Sequence, residues 1–240
     1  MKREYKTGKK TALCSCGYSQ NKPFCDGRHK LIGSQAIPAE IIMETIRKRR
    51  SIRKFKSTPI PDSVLSELLE AARLAPSGCN AQPWRFKLVR DEETRRSLAA
   101  AAYNQKFISQ APVVIVCCAD LKGYINGTLT GLEALEEIKA IESRIKDIIS
   151  GNLEKSMQGS IIVEHGPRVA ANVAIAIEHM VLVAAAHGLG SCWVRLFEEK
   201  KVREIFDWDD NIFVVALLPL GYPDEEPGAR PRLPVGDILL

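Results

Sequence analysis

The chain has 240 residues, 45% of them hydrophobic and 26% charged, with a formal net charge of +5. That balance excludes a collagen-like, low-complexity or disordered chain, and the length allows one sizeable core plus a small appendage. The charge is uneven, since residues 1–56 carry 15 Lys or Arg against 4 acids, a local balance of +11 that leaves −6 for the remainder.

A basic amino-terminal stretch raises nucleic acid as a partner, but there is no aromatic-interleaved platform and no nucleic-acid motif, so none is expected. A phosphate site for a small cofactor accounts better for the cations between Arg47 and Lys56. The seven cysteines are an odd number, Cys117, Cys118 and Cys192 sit in apolar stretches, and no secretory signal precedes them. Reduced thiols and a cytoplasmic location are the expectation. The apolar run Val169–Ala186 approaches membrane-spanning length, but Asn172, Glu178 and His179 interrupt it; a buried helix is expected, and no membrane.

In chain order, the first feature is Cys14-Ser15-Cys16 followed by Cys25-Asp26-Gly27-Arg28-His29, a C-x-C-x8-C-x3-H pattern. Three thiols and an imidazole within sixteen residues suit a metal centre, either tetrahedral zinc or an iron–sulfur cluster in which histidine replaces one cysteine. Thirty residues cannot bury a core without a staple, and metal binding supplies that folding free energy. Residues 1–30 read as this metal module and 31–39, with Gly33, Ser34 and Pro38, as a linker.

A second unit spans residues 40–240. The spacing predicts a helix over Ala39–Arg50, another from Asp62 to Ala75 stopped by Pro76 and Gly78, and an alternating strand over Trp84–Arg90. A helix over Asp91–Ala102 carries acids in its first turn, and Pro112–Ala119 is a continuous apolar strand buried on both faces. Leu132–Ile149 has helical spacing, and 151–166 is an excursion with no assigned element. An Ala-rich helix over Arg168–His187 ends at Gly188, a strand covers Ser191–Phe197, a helix Glu198–Phe206 and a buried strand Ile212–Leu220. Mixed helices with at least four strands predict a sheet between helix layers.

Four segments carry chemistry in this unit. In Arg49-Arg50-Ser51-Ile52-Arg53-Lys54-Phe55, an extended chain turns Arg49, Ser51 and Arg53 the same way, giving guanidinium forks and a hydroxyl for a phosphate or a flavin's polar edge. In Ala75-Pro76-Ser77-Gly78-Cys79-Asn80-Ala81-Gln82-Pro83-Trp84, the amides of Asn80 and Gln82 both donate and accept, which suits the heteroatom edge of a flat ring. Gly188-Leu189-Gly190-Ser191-Cys192-Trp193-Val194-Arg195-Leu196 closes the long helix, and Arg230-Pro231-Arg232 adds two late cations. His179 and His187 read as packing or cap residues.

The amino-terminal string, Cys14-Ser15-Cys16-Gly17-Tyr18-Ser19 with Lys22-Pro23-Phe24-Cys25-Asp26-Gly27-Arg28-His29, resembles the CDGSH iron–sulfur family, with Arg28 where serine is usual. The resemblance implies that Cys14, Cys16, Cys25 and His29 ligate a [2Fe-2S] cluster. Over about residues 40–236, the arginine-serine-arginine segment, the P-S-x-x-N-x-Q-P-W loop, the G-L-G-S-x-W turn and the final arginine pair resemble the nitroreductase family of FMN-dependent oxidoreductases. That implies an α+β, three-layer sheet–helix sandwich acting as a homodimer with FMN at the subunit interface. Carried over by position, Arg49, Arg50, Ser51 and Arg53 line the FMN site, Arg230 and Arg232 clamp its phosphate, and Pro76, Ser77, Gly78, Asn80 and Gln82 reach it from the partner subunit. Arg195-Leu196 stands where the family often has a glycine pair whose amide faces the flavin, so Arg195 narrows the pocket or presents a charge to it. Gln105 and Lys106 lie where some members contact the flavin.

The expected function is reduction of a nitroaromatic, quinone or similar conjugated small-molecule acceptor, with electrons from NAD(P)H or a ferredoxin-like donor and the cluster as relay. No dedicated acid–base residue is expected, because the flavin performs the hydride chemistry. Two alternatives are a dehalogenase or flavin-cleaving enzyme on the same fold, and an iron or redox sensor with a passive flavin-fold scaffold.

Overall fold

The computed structural model describes residues 38–156 and 161–240, so Cys14, Cys16, Cys25 and His29 lie outside the described residues. The chain divides into two compact units, 1–44 and 45–240. Helix α1, Ala39–Lys48, leads into the second.

Four strands make one antiparallel sheet in the order β1-β2-β4-β3, with β1 Trp84–Val89, β2 Val113–Asp120, β3 Gly190–Ser191 and β4 Ile212–Gly221. Strand β2 lies between β1 and β4, and its side chains alternate between two cores. Val113, Ile115, Cys117 and Ala119 face one core with helices α2, Asp62–Arg73, and α7, Ile161–Ala186. Val114, Val116 and Cys118 face the other, packed by α3, Glu92–Ala101, α4, Lys106–Gln110, and α8, Glu199–Ile205. Helices on both faces are why an antiparallel strand here reads as an unbroken apolar run, a pattern more usual of parallel sheets. A bulge places Val215 between the partners of Cys117 and Cys118, so Val215 and Ala216 both enter the first core.

In α7, Val169, Ala170, Val173, Ala176, Ile177, Met180, Val181 and Ala184 form one buried stripe at helical spacing. Residues 165–186 are long and apolar enough to cross a membrane; their place in the core gives that hydropathy another cause. Asp91 caps α3 by accepting from the Thr94 amide at 2.8 Å, and hydrogen bonds from the Thr94 side chain and amide hold its carboxyl below the usual range.

The structure departs from the sequence expectation in four places, the first being that residues 151–156 and 161–166, expected to carry no element, belong to helices. The single helix expected over Leu132–Ile149 is two, α5 Leu121–Glu137 and α6 Ser143–Ser156. Between them Lys139 has φ 59°, with Lys139 N–H donating to Glu136 and Ala140 N–H to Leu135, a Schellman closure built without glycine. Glycines 123, 127 and 131 hid the first half of α5 from a propensity reading. The strand expected over Ser191–Phe197 covers only Gly190–Ser191, followed by a bridge from Val194 to Leu217. Cys192 N–H donates to Pro219 C=O, but Pro219 has no N–H to return, so the ladder breaks there. Helix α4 was not anticipated; it follows Tyr103 and Asn104, both in the left-handed region.

Candidate active site

The arginine-serine-arginine segment leaves α1 as extended chain on the β3 side of the sheet. Ser51 bridges Ser191 in parallel, Ile52 N–H donates to Ser191 C=O at 2.9 Å, and Lys56 N–H donates to Tyr222 C=O at 2.9 Å. Ile52 is buried against Gly190, where an added Cβ would meet Ile52 Cγ1 at 2.5 Å. With Ile52 turned inward, Ser51 stays half-buried and Arg53 exposed. Arg49 lies 4.0 Å from Glu178 on α7, and Arg53 sits 5.9 Å above the Phe107 ring of α4. Arg50 turns away, its guanidinium folded onto the carbonyls of Arg47 and Arg49 at the end of α1. Glu225 accepts from both the Arg53 and Lys54 amides and places a carboxylate beside the cations. Burial raises the Cys192 thiol above its ordinary value in spite of nearby Arg53.

The Ser77–Gln82 loop is a different kind of surface. Cys79, Asn80 and Gln82 have φ of 50°, 53° and 48°, three non-glycine residues in the left-handed region within four positions. Each costs about 1 kcal/mol or more, so the surroundings must over-determine the shape. Ser77 Oγ accepts from Gln82 N–H at 3.0 Å, Ser77 C=O from Asn80 N–H at 3.0 Å, and Gln82 Nε2 donates to Asn80 C=O at 3.2 Å. From outside the loop, Asn172 Oδ1 on α7 accepts from Gly78 N–H at 2.9 Å. Pro76, Gly78, Asn80 and Gln82 remain exposed.

The G-L-G-S turn closes α7 with Gly188 at φ 71°, Leu189 N–H donating to Ala184 and Gly188 N–H to Ala185, a Schellman closure that needs glycine's freedom. Arg195 and Leu196 are exposed beyond it. Gln105 Nε2 donates to both Ala102 and Leu196 carbonyls at 2.9 Å, so the side chain at 105 holds the 196 backbone in place. Arg230 and Arg232 lie on the exposed tail, Arg232 donating to the carbonyls of Arg230 and Pro231. His179 Nδ1 pairs with the Ala71 carbonyl at 3.1 Å and His187 Nε2 with Glu67 at 2.8 Å, both tying α7 to α2.

The fold thus joins the Arg49–Arg53 segment to the Gly190–Leu196 turn and to Glu225, and holds the Ser77–Gln82 loop elsewhere. No hydrogen bond or ion pair among the described residues links that loop to Arg49, Ser51 or Arg53. Glu178 and Asn172, their respective contacts on α7, are six residues apart, which puts them about 120° apart around the helix and about 9 Å along it. Asn172, Glu225 and the glycines of α5 escaped the sequence reading; a glycine every fourth residue at 123, 127 and 131 was the one signal available.

The donor set fits FMN: guanidinium forks and a hydroxyl for the phosphate and ribityl chain, and amides able to donate and accept for the ring's heteroatom edge. Among the described residues no group of three or more His, Cys, Asp or Glu could hold a metal ion. Comparison with known proteins agrees with both motif readings. Residues 46–222 match the Nitroreductase family, and residues 1–30 match the family described as iron-binding zinc finger, CDGSH type. A Thermus thermophilus protein named NADH dehydrogenase is 33% identical over 80% of this chain and 92% of its own length. A Bacillus subtilis 168 FMN reductase [NAD(P)H] is 26% identical over 80% of this chain and 70% of its own. The crystal structure of an Exiguobacterium sibiricum 255-15 protein in complex with FMN superposes with a TM-score of 0.65 at 26% identity, covering 82% of this chain and 95% of that one.

Proposed function

The chain belongs to the nitroreductase family of oxidoreductases, and from that premise we propose that it is an FMN-dependent enzyme reducing nitroaromatic, quinone or similar conjugated acceptors, with NAD(P)H or a ferredoxin-like protein as donor. The observation that carries the reading is the Ser77–Gln82 loop, whose strained backbone presents the exposed amides of Asn80 and Gln82. Bound FMN supplies the hydride chemistry. The chain's task is to bind and orient it. Arg49, Ser51 and Arg53, with Arg230 and Arg232, hold the phosphate, ribityl chain and pyrimidine side. Their positive charge stabilises negative charge developing at that edge. Arg195 presents a further cation to the acceptor pocket.

The site is completed by a second copy of the chain. The cationic segment and the amide loop are separate surfaces in one protomer, and exposed apolar side chains at Ile41, Ile42 and Ile46 on α1 and at Leu233, Val235, Ile238 and Leu239 on the tail supply area for a homodimer. The amino-terminal module, 1–30, holds a [2Fe-2S] cluster on Cys14, Cys16, Cys25 and His29, relaying single electrons to or from the flavin. Four free thiols among the described residues accord with a cytoplasmic protein.

An absorbance spectrum of freshly, anaerobically purified protein, with iron and FMN analysis, tests both cofactors at once. One FMN and two irons per chain, with NAD(P)H oxidation coupled to acceptor reduction, is the expected result. Protein that neither retains nor rebinds FMN and oxidises no donor overturns the enzyme. Cluster bands that do not change with the flavin bands after rapid mixing with donor overturn the relay.

A further inference from the structure

Building on that reading of the loop as a flavin contact, we propose that Asn172 on α7 and the Gly127–Gly131 notch on α5 are positioning residues. Together they lock Ser77–Gln82 in its flavin-ready shape before the cofactor arrives. The loop's own hydrogen bonds are local and would be lost together if it relaxed out of the left-handed region. What resists relaxation must come from elsewhere in the chain, and two helices supply it.

The first anchor is polar. Asn172 lies inside α7, just after Ala170 and Ala171, where an asparagine is a poor helix former, and its Oδ1 takes up the Gly78 N–H at 2.9 Å across 94 residues of sequence. The second is steric. Glycine weakens a helix interior, yet α5 carries one at every fourth position, and each meets close contact on one side of the helix. A Cβ on Gly123 would strike the Asp120 carboxylate that caps the helix, at 2.5 Å. On Gly127 it would meet Ala81 C=O at 2.6 Å and Ala81 Cα at 2.9 Å, and on Gly131 the Cys79 C=O at 1.8 Å. The backbone of left-handed Cys79 and that of Ala81, between left-handed Asn80 and Gln82, are thus seated directly on the helix. To admit a methyl at Gly131 the Cys79 carbonyl must retreat by more than an ångström, because real Cβ contacts essentially never fall below 3.0 Å. That displacement carries Asn80 with it, and a shift of this size in a positioning group is enough to degrade a site. Cap, notch and loop therefore form one body: Asp120 fixes the start of α5, α5 fixes Cys79 and Ala81, and α7 fixes Gly78.

The experiment uses full-length protein stripped of flavin. Backbone hydrogen exchange of the peptide covering 77–82 is measured first, then FMN affinity by fluorescence titration. Asn172→Leu, similar in volume but without an acceptor, is expected to speed exchange in that peptide about tenfold and to weaken FMN binding about tenfold, the loss of one backbone hydrogen bond. Asn172→Asp keeps an acceptor and is expected to stay within about threefold of wild type in both. Gly131→Ala behaves like Asn172→Leu or worse. Gly151→Ala, a helical glycine with nothing within 4 Å of an added Cβ, changes neither. Apo-protein melting temperatures accompany each variant; a purely structural role moves those and leaves FMN affinity at 25 °C alone. Should Gly131→Ala fail to fold, the Asn172 pair still decides. Unchanged exchange in Asn172→Leu overturns the lock. Faster exchange with unaltered FMN affinity overturns its role toward the flavin. Wild-type protein that binds no FMN defeats the enzyme reading instead, while exchange still reports whether the lock exists.

Discussion

The two halves of the candidate site are built on opposite terms. The Arg49–Arg53 segment is an open strand whose backbone is satisfied along the sheet edge and by Glu225, leaving Arg53 in solvent and Arg49 half-buried. The Ser77–Gln82 loop is closed: its backbone is strained, its local bonds are short-range, and two helices hold it through one amide and two glycine contacts. Charge recruits a ligand to the first, and it weakens with salt. Shape presents a ligand to the second, and salt leaves it alone. The difference teaches that a site can combine a cheap, tunable attraction with a costly, preorganised edge.

The widest separation of these terms from general stability comes from the core face of α7. Ile177 is fully buried, so Ile177→Ala is expected to cost about 2–5 kcal/mol of unfolding free energy while FMN affinity at 25 °C stays within about twofold, measured by denaturant titration beside flavin binding. A selective loss of affinity would mean that the core face and the loop anchor of α7 are not separable. Next, Arg53→Ala is expected to weaken FMN binding about 10- to 100-fold, the range for a charged hydrogen bond, and to flatten its salt dependence. The apo melting temperature should hold, since Arg53 is exposed; an unflattened salt slope would break the comparison. A smaller change follows from Glu225→Gln, which keeps an acceptor for the Arg53 and Lys54 amides but removes the negative charge beside them. Affinity should rise about threefold at low ionic strength and return to wild type as salt screens the site.

The smallest effect concerns the α5–α6 corner, where Lys146 bonds to Glu136. That hydrogen bond holds the Glu136 carboxyl below its ordinary value of 4.5 and raises Lys146 above 10.5. The depressed carboxyl contributes stability that is full above 4.5 and is lost as pH falls through the lower folded value. The raised ammonium contributes stability that is full below 10.5 and lost as pH climbs through the higher one. Exchange of residues 138–146 should therefore quicken in acid and in strong alkali relative to neutral pH, after correction for intrinsic rates. The Lys146→Met variant should quicken at neutral pH, lose the alkaline transition and keep a weaker acid one, since Ser143 still bonds to Glu136. A Lys146→Met profile matching wild type would show that the pair does not hold the corner.

The cationic segment was legible from sequence because its chemistry is contiguous: alternating Arg49, Ser51 and Arg53 need only an extended chain, and Ile52 packing on Gly190 provides it. The amide loop was legible in composition alone. Its anchor Asn172 lies 94 positions from Gly78 and read as a blemish in an apolar run. The glycines of α5 lower its helical propensity, and Gly127 and Gly131 let another backbone approach.

Taken alone, the sequence determined the order of helices and strands wherever periodicity ran unbroken, the two-faced burial of β2, and the residue types offered to a cofactor. These follow from local spacing, which the chain carries wherever it goes. Only the tertiary structure decided that Leu121–Glu137 is helical, that the helix expected over Leu132–Ile149 breaks at Lys139, that β3 stops where Pro219 has no N–H to give, and that Cys79, Asn80 and Gln82 stay left-handed. Each of those depends on a partner distant in sequence, and local propensity yields when a packed neighbour supplies more free energy than the preference it overrides.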